Sequence, residues 1–312
     1  MPYLEYIDDI ESDPSCILTV GTFDGVHVGH RAILNYLVDR AKNQGGSSAV
    51  VTFDPHPREI VGTGDVSLLT TVEERAGICA DLGVDRFIVI PFTAAFSVLS
   101  ASEFVSDILL AKVGMKEMVI GHDHHFGHGR SGNENVLLSL AETHGFSIDV
   151  VPAKIMDESI VSSSEIRRII AEEGNISRAT EQLGHPYGMS ARVVEGLRRG
   201  REIGFPTANL MPVHPGKLIP ADGVYVVSMS IEGGQSDLVG MMNIGVRPTF
   251  EGTGRHAEVH ILDFEDDIYG KHVRVNFISR IRSERKFQTV DELVTQLNQD
   301  RERCIAFVHS KA

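Results

Sequence analysis

Cysteine is scarce: Cys16, Cys79 and Cys304 are the three in 312 residues, far apart and with no C-x-x-C pair. That usage excludes a disulfide framework and predicts a reducing compartment. Positive charge is also in deficit. With 29 Lys and Arg against 43 Asp and Glu, the net charge is −14. No general attraction to nucleic acid or acidic membranes is expected, so phosphate chemistry belongs in compact local sites. No apolar run approaches the roughly 18–20 residues of a membrane helix. The acidic start, MPYLEYIDDIESDPS, lacks the basic-then-apolar pattern of a secretory signal. A soluble, cytoplasmic protein is expected. No internal repeat or low-complexity linker is visible.

What is present falls into two rhythms, as the length of more than one average domain suggests. Up to about residue 175, the short β-branched runs CILTVG, SAVVTF, DRFIVIPF, EMVIG and SIDVV read as buried parallel strands. Between them Thr71-Val-Glu-Glu74 and Ser100-Ala-Ser-Glu103 fit the capping box that opens a helix. This alternation predicts a doubly wound, Rossmann-like α/β domain. From about Tyr187, ARVVEGL, GVYVVSMSI, LVGMMNIGV, AEVHILDF and HVRVNFISRI predict an antiparallel barrel or sandwich. Thr289-Val-Asp-Glu292 then opens an amphipathic C-terminal helix. The join is expected in LGHPYG, giving domains 1–184 and 185–312.

In GTFDGVHVGHRAIL, Gly21, Gly25 and Gly29 permit close backbone approach, and a helix starts near Gly29. A helix N-terminus offers free amides and a positive dipole end to an anion. His27 and His30, in H-x-G-H spacing, can donate hydrogen bonds to phosphate oxygens. VSSSEIRRII offers a second grip, with Ser162, Ser163 and Ser164 leading a helix and Arg167 one turn into it. The two grips are expected to flank one triphosphate. GHDHHFGHGR looks at first like a metal site, with His122, His124, His125 and His128. No Cys is near, however, and the spacing matches no structural zinc pattern. Its place after the strand EMVIG instead predicts a ligand-pocket loop.

GTFDGVHVGH, TFDPHP, GHDHHFGHGR, SSSEIRRI, GREIGFPTANL, NIGVRPTF and EVHILDF, in this order, resemble the bifunctional riboflavin kinase/FMN adenylyltransferases. The resemblance spans nearly the whole chain. It implies an N-terminal nucleotidyltransferase in which the FMN phosphate attacks the α-phosphate of ATP, giving FAD and pyrophosphate. It implies ATP contacts from Gly21, Phe23, Asp24 and Gly29. His27 and His30 would steady the phosphates, while Ser163, Ser164 and Arg167 hold the leaving end. Gly121, Asp123, Phe126, Gly127, Arg130 and Gly132 keep the family's frame. Asp123, Phe126 and Phe53 are expected around the flavin, whose flat ring suits aromatic faces.

For the C-terminal half the resemblance implies a riboflavin kinase on a Greek-key barrel. Gly196, Gly200 and Gly204, with Arg201 and Pro206, form a loop suited to ATP phosphates. Thr207 and Asn209 lie two apart, so a strand points both the same way. Their oxygens suit Mg²⁺, a hard cation. Glu258 is expected as the base for the 5′-hydroxyl of riboflavin, with Asn243, Gly245, Arg247 and Arg282 shaping the adjoining nucleotide or flavin pocket. The expected substrates are ATP, riboflavin and FMN. A transferase with another acceptor, or a flavin-sensing regulator without turnover, are the competing readings. GFPTAN with EVHILDF argues against the first, and the joint presence of Glu258, His30 and Arg167 against the second.

Overall fold

The computed structural model describes residues 4–62, 66–121, 134–151, 161–196, 199–249 and 252–309. The chain divides into two compact units, Met1–Val161 and Ser162–Ala312.

The first unit is built on a parallel sheet of β1 (Leu4–Tyr6), β2 (Cys16–Val20), β3 (Ser48–Asp54), β4 (Arg86–Pro91), β5 (Met115–Ile120) and β6 (Ser147–Val150). Its strand order is β1-β4-β3-β2-β5-β6. All five residues of β2 are buried, the mark of a strand covered on both faces. Ile17 packs with helices α1 (Val28–Gln44) and α3 (Val72–Asp81), which stand before and after the short α2 (Pro57–Val61) in the chain. Its neighbour Leu18 points the other way, against Val105 and Leu109 of the helical segment 101–113. The expected Rossmann-like fold and all five strands are present, and both capping boxes form reciprocally at Thr71 and Ser100. The strand order reverses between β2 and β5, and ligands in open α/β sheets bind beyond the C-terminal strand ends at such a point. GTFDGVH leaves β2 there, and Gly121 leaves β5.

The second unit is a closed antiparallel barrel of β7 (Gly188–Val194), β8 (Ala208–Pro212), β9 (Gly223–Ile231), β10 (Leu238–Thr249), β11 (Gly252–Ile261) and β12 (His272–Arg282), in the order β10-β11-β8-β7-β12-β9. A long connection brings β12 between β9 and β7, the Greek-key move. The helix Val290–His309 covers one outer flank, where Cys304 packs with Val224, Val226 and Met241. The helical turns from Ser163 to Leu183 group with this unit. Ile170 O accepts from Ala221 N at 3.0 Å, and Glu173 O from Arg280 at 3.0 Å. Gly184, left-handed at φ 72°, ends the last of these helices. The three cysteines are free and buried.

Candidate active sites

His27 is the N-cap of α1, and its Nδ1 accepts from the His30 amide at 3.4 Å. Neutral His27 therefore carries its hydrogen on Nε2. The two imidazoles stack at 3.6 Å between centroids and 17° between planes, and the Phe23 ring meets His30 edge-on at 5.1 Å. Burial holds the His27 pKa down to about 4, with Asp24 opposing. Burial, then the charge of His27, holds His30 well below its ordinary value. Both rings are neutral donors at pH 7 rather than cations. Among the described residues His30 Nδ1 is buried without a partner, and buried polar atoms of this kind ordinarily hold one.

A network beneath the loop fixes this pair. Asp24 accepts from the amides of Leu69 and Thr70 at 3.0 and 2.9 Å and from Thr70 Oγ1 at 3.1 Å. Thr70 Oγ1 in turn accepts from Gly25 N at 2.9 Å. Arg75, 2% exposed, donates to Thr22 O at 2.6 Å and to Thr52 Oγ1 at 3.0 Å. The Asp24 carboxylate thus braces the loop from behind. Arg75 and Thr70 escape a sequence reading, because TTVEER reads as an exposed capped helix start. Backbone angles show why bracing is needed: Phe23, Gly25 and Val26 have φ of 47°, 84° and 40°, left-handed values that a β-branched residue rarely adopts. Gly21 is required by space, since a Cβ there would lie 2.9 Å from the Phe23 ring. Gly29 sits in the first turn of α1 beside the His27 ring.

Phe53, half-buried at the end of β3, belongs to an aromatic cluster with Phe92, Phe96 and Phe104, at centroid distances of 5.5, 5.8 and 6.3 Å. Phe92 closes the run DRFIVIPF and Phe96 follows it, so both were legible as apolar residues near a strand's C-terminal end. Asp123 and Phe126, with Arg130 and the histidines at 122, 124, 125 and 128, lie outside the described residues. Among the described residues no group of three His, Cys, Asp or Glu could hold a metal ion. Ser163, Ser164 and Arg167 lie on the helix Ser163–Arg168, capped by Ser162 Oγ, which accepts from Glu165 N at 3.2 Å.

In the barrel, strand register brings together residues of the second candidate site. Asn209 on β8 stands opposite Glu258 on β11, Glu258 opposite Asn243 on β10, Asn243 opposite Val224 on β9, and Val224 opposite Arg282 on β12. Directly paired residues share a face, so these five side chains form one row around the outer wall. Ala257 and Val259 point into the barrel core, leaving Glu258 half-buried outside. Gly196 is essential to the row, because a Cβ would collide with the Asn209 side chain. A Cβ on Gly200 would strike the Phe205 carbonyl, and Gly204 is left-handed at φ 81°. A cavity of about 320 Å³ adjoins Thr207, lined also by Arg201, Pro206, Val259, Phe264 and Tyr269.

Arg282 ends the row on a buried partner. Its guanidinium meets Asp300 of the C-terminal helix at 2.8 Å, and Asp300, 0% exposed, also accepts from Gln296 at 2.8 Å. The arginine therefore pins that helix to the barrel. Asp300→Ala takes the buried carboxylate from a guanidinium that is only 15% exposed, a change that costs about 3 kcal/mol. Denaturant unfolding of the variant should show that loss; an unchanged midpoint would dismiss the pin.

An FAD synthetase family model matches residues 9–165, and a riboflavin kinase model matches residues 183–308. The chain is 37% identical over 286 residues to the bifunctional riboflavin kinase/FMN adenylyltransferase of Escherichia coli (strain K12), covering 91% of this chain and 90% of that protein. To its counterpart from Listeria monocytogenes it is 37% identical over 299 residues, covering 95% and 93%. A solved structure from Streptococcus pneumoniae, described as a macrolide-efflux protein, superposes with a TM-score of 0.84 at 31% identity, covering 96% of this chain and 98% of that one. Among the described residues of this chain, no helix is long and apolar enough to cross a membrane.

Proposed function

The chain belongs to the bifunctional riboflavin kinase/FMN adenylyltransferase family, and from that premise we propose how its residues divide the two reactions. The riboflavin kinase domain phosphorylates riboflavin to FMN with ATP, and the FAD synthetase domain transfers AMP from ATP to FMN, releasing pyrophosphate. We assign 1–184 to adenylyl transfer and 185–312 to phosphorylation. The start of the riboflavin kinase match at residue 183 supports that boundary.

In phosphorylation, Glu258 takes the proton of the riboflavin 5′-hydroxyl as that oxygen attacks the γ-phosphorus of ATP, and ADP leaves. The observation that carries this is the row Asn209–Glu258–Asn243, which sets a carboxylate between two amides on one face. The donor set fits Mg²⁺: Thr207 and Asn209 offer hard oxygens next to that carboxylate. When bound, the ion neutralises charge on the phosphates. Gly200, Arg201, Gly204 and Pro206 cradle the nucleotide beside the cavity, and Arg282 holds the far end of the row.

In adenylyl transfer no side-chain nucleophile is needed, since the FMN phosphate itself attacks the α-phosphorus. The chain's work is positioning and charge stabilisation. His27 Nε2–H and the His30 ring donate to phosphate oxygens while Gly21, Phe23, Asp24 and Gly29 shape the loop. Ser163, Ser164 and Arg167 serve the departing pyrophosphate, and Phe53, Asp123 and Phe126 the flavin. The free cysteines support a cytoplasmic place, and the acidic net charge supports small molecules rather than nucleic acid as partners. Incubation with riboflavin and Mg-ATP, followed by chromatography, should yield FMN and then FAD. Bound but unchanged riboflavin would favour the sensing alternative.

A further inference from the structure

The pairing of β8 with β11 runs Leu210–Ala257, Asn209–Glu258 and Ala208–Val259 and then stops. One further step would set Thr207 opposite His260. At that point the ladder is replaced by a side chain: His260 Nδ1 lies 2.8 Å from the carbonyl oxygen of Pro206. A carbonyl oxygen can only accept, so Nδ1 carries the hydrogen. The ring is steadied by Phe205, edge-on at 5.2 Å. The restrained carbonyl belongs to the peptide unit that leads into Thr207, and fixing that plane limits where the threonine hydroxyl can point. Just before it, Phe205 N donates to Gly200 O at 2.8 Å and closes the preceding turn. Pro206 has no amide hydrogen to donate, Gly204 is left-handed, and regular pairing begins only at Ala208. His260 also shares a face with Glu258, two residues along the same strand.

We propose that His260 is a positioning residue of the kinase site, holding the Pro206–Thr207 peptide through Nδ1–H so that the Thr207 hydroxyl and the Asn209 amide meet the metal–nucleotide together. It touches neither substrate nor metal. One strand, β11, thereby sets both the base and the loop facing it. The inference rests on the roles proposed above for Thr207 and Asn209.

The test uses the full chain and compares His260→Asn with His260→Gln. The Asn amide nitrogen falls near the position of Nδ1, whereas the Gln amide nitrogen falls nearer that of Nε2. FMN formation is followed while Mg²⁺ is titrated at fixed ATP and riboflavin. His260→Gln should raise the half-saturating Mg²⁺ and lower kcat/KM about tenfold, the size of one lost hydrogen bond. His260→Asn should restore both to near the parent values, and conversion of supplied FMN to FAD should be unchanged in each. Equal losses in the two variants, or no loss in either, would overturn the proposal. A Thr207→Val arm separates the levels: full kinase activity there would sink the metal-site reading itself. Loss there, with Gln and Asn behaving alike, would sink the role of His260 alone.

Discussion

Glu258→Gln should abolish FMN formation while leaving the conversion of FMN to FAD near the parent rate. The substitution keeps size and hydrogen-bonding capacity, so Asn209 and Asn243 retain a polar neighbour in the row. What disappears is the ability to take a proton, and a positioned general base contributes about 10²–10⁴-fold to rate. Riboflavin phosphorylation should fall by that factor, read as FMN separated from riboflavin by chromatography. FAD synthesis from supplied FMN provides the control, because Glu258 is proposed to take no part in it. Loss of both activities would overturn the two-site model, and retention of both would remove Glu258 as the base.

The reverse is expected of His30→Ala. Its ring is stacked on His27 at 3.6 Å and flanked by Phe23, so truncation removes a donor and loosens its partner. Removal of one preorganised donor from a charge-stabilising site costs about 10²–10³ in kcat. FAD formation should fall by at least that much, with FMN formation intact; unchanged FAD synthesis would refute the role of His30. The protonation states add a pH dependence. Both folded-state pKa values are depressed, that of His27 to about 4 against an ordinary 6.5. Well above 6.5 neither state binds protons on these rings, so the pair contributes no pH dependence there. As pH falls from 6.5 toward 4 the unfolded chain takes up protons that the folded one refuses, and the first unit loses stability.

Local features were the part most open to a sequence reading. The capping boxes at Thr71 and Ser100 and the apolar runs of the strands need only neighbours within a few positions. β1 was missed because LEY is short, polar and lies at the sheet edge beside β4. The alignment of Asn209, Glu258, Asn243 and Arg282 is a matter of register between strands far apart in sequence, which no local pattern encodes. Arg282 and Asp300 illustrate the same limit. By its local sequence Asp300 looks like a solvated charge and Arg282 like a pocket residue, and only the docking of the C-terminal helix brings the two together. Arg75 looks exposed by its sequence neighbours, yet α3 turns it under the loop after β2. GHDHHFGHGR, the most conspicuous stretch of the sequence, contributes only Gly121 to the described structure.

The left-handed turn at Phe23, Gly25 and Val26, braced by Asp24, Thr70 and Arg75, also bears on how tightly ATP can bind. A flexible glycine-rich loop would have to be immobilised by its ligand, at roughly 1–2 kcal/mol of conformational entropy for each residue ordered. Here that ordering is completed when the first unit folds, and the buried network keeps it. With the role proposed above for this loop, the nucleotide would meet a rigid seat, and its contacts with the loop would count toward affinity instead of being consumed in shaping the loop.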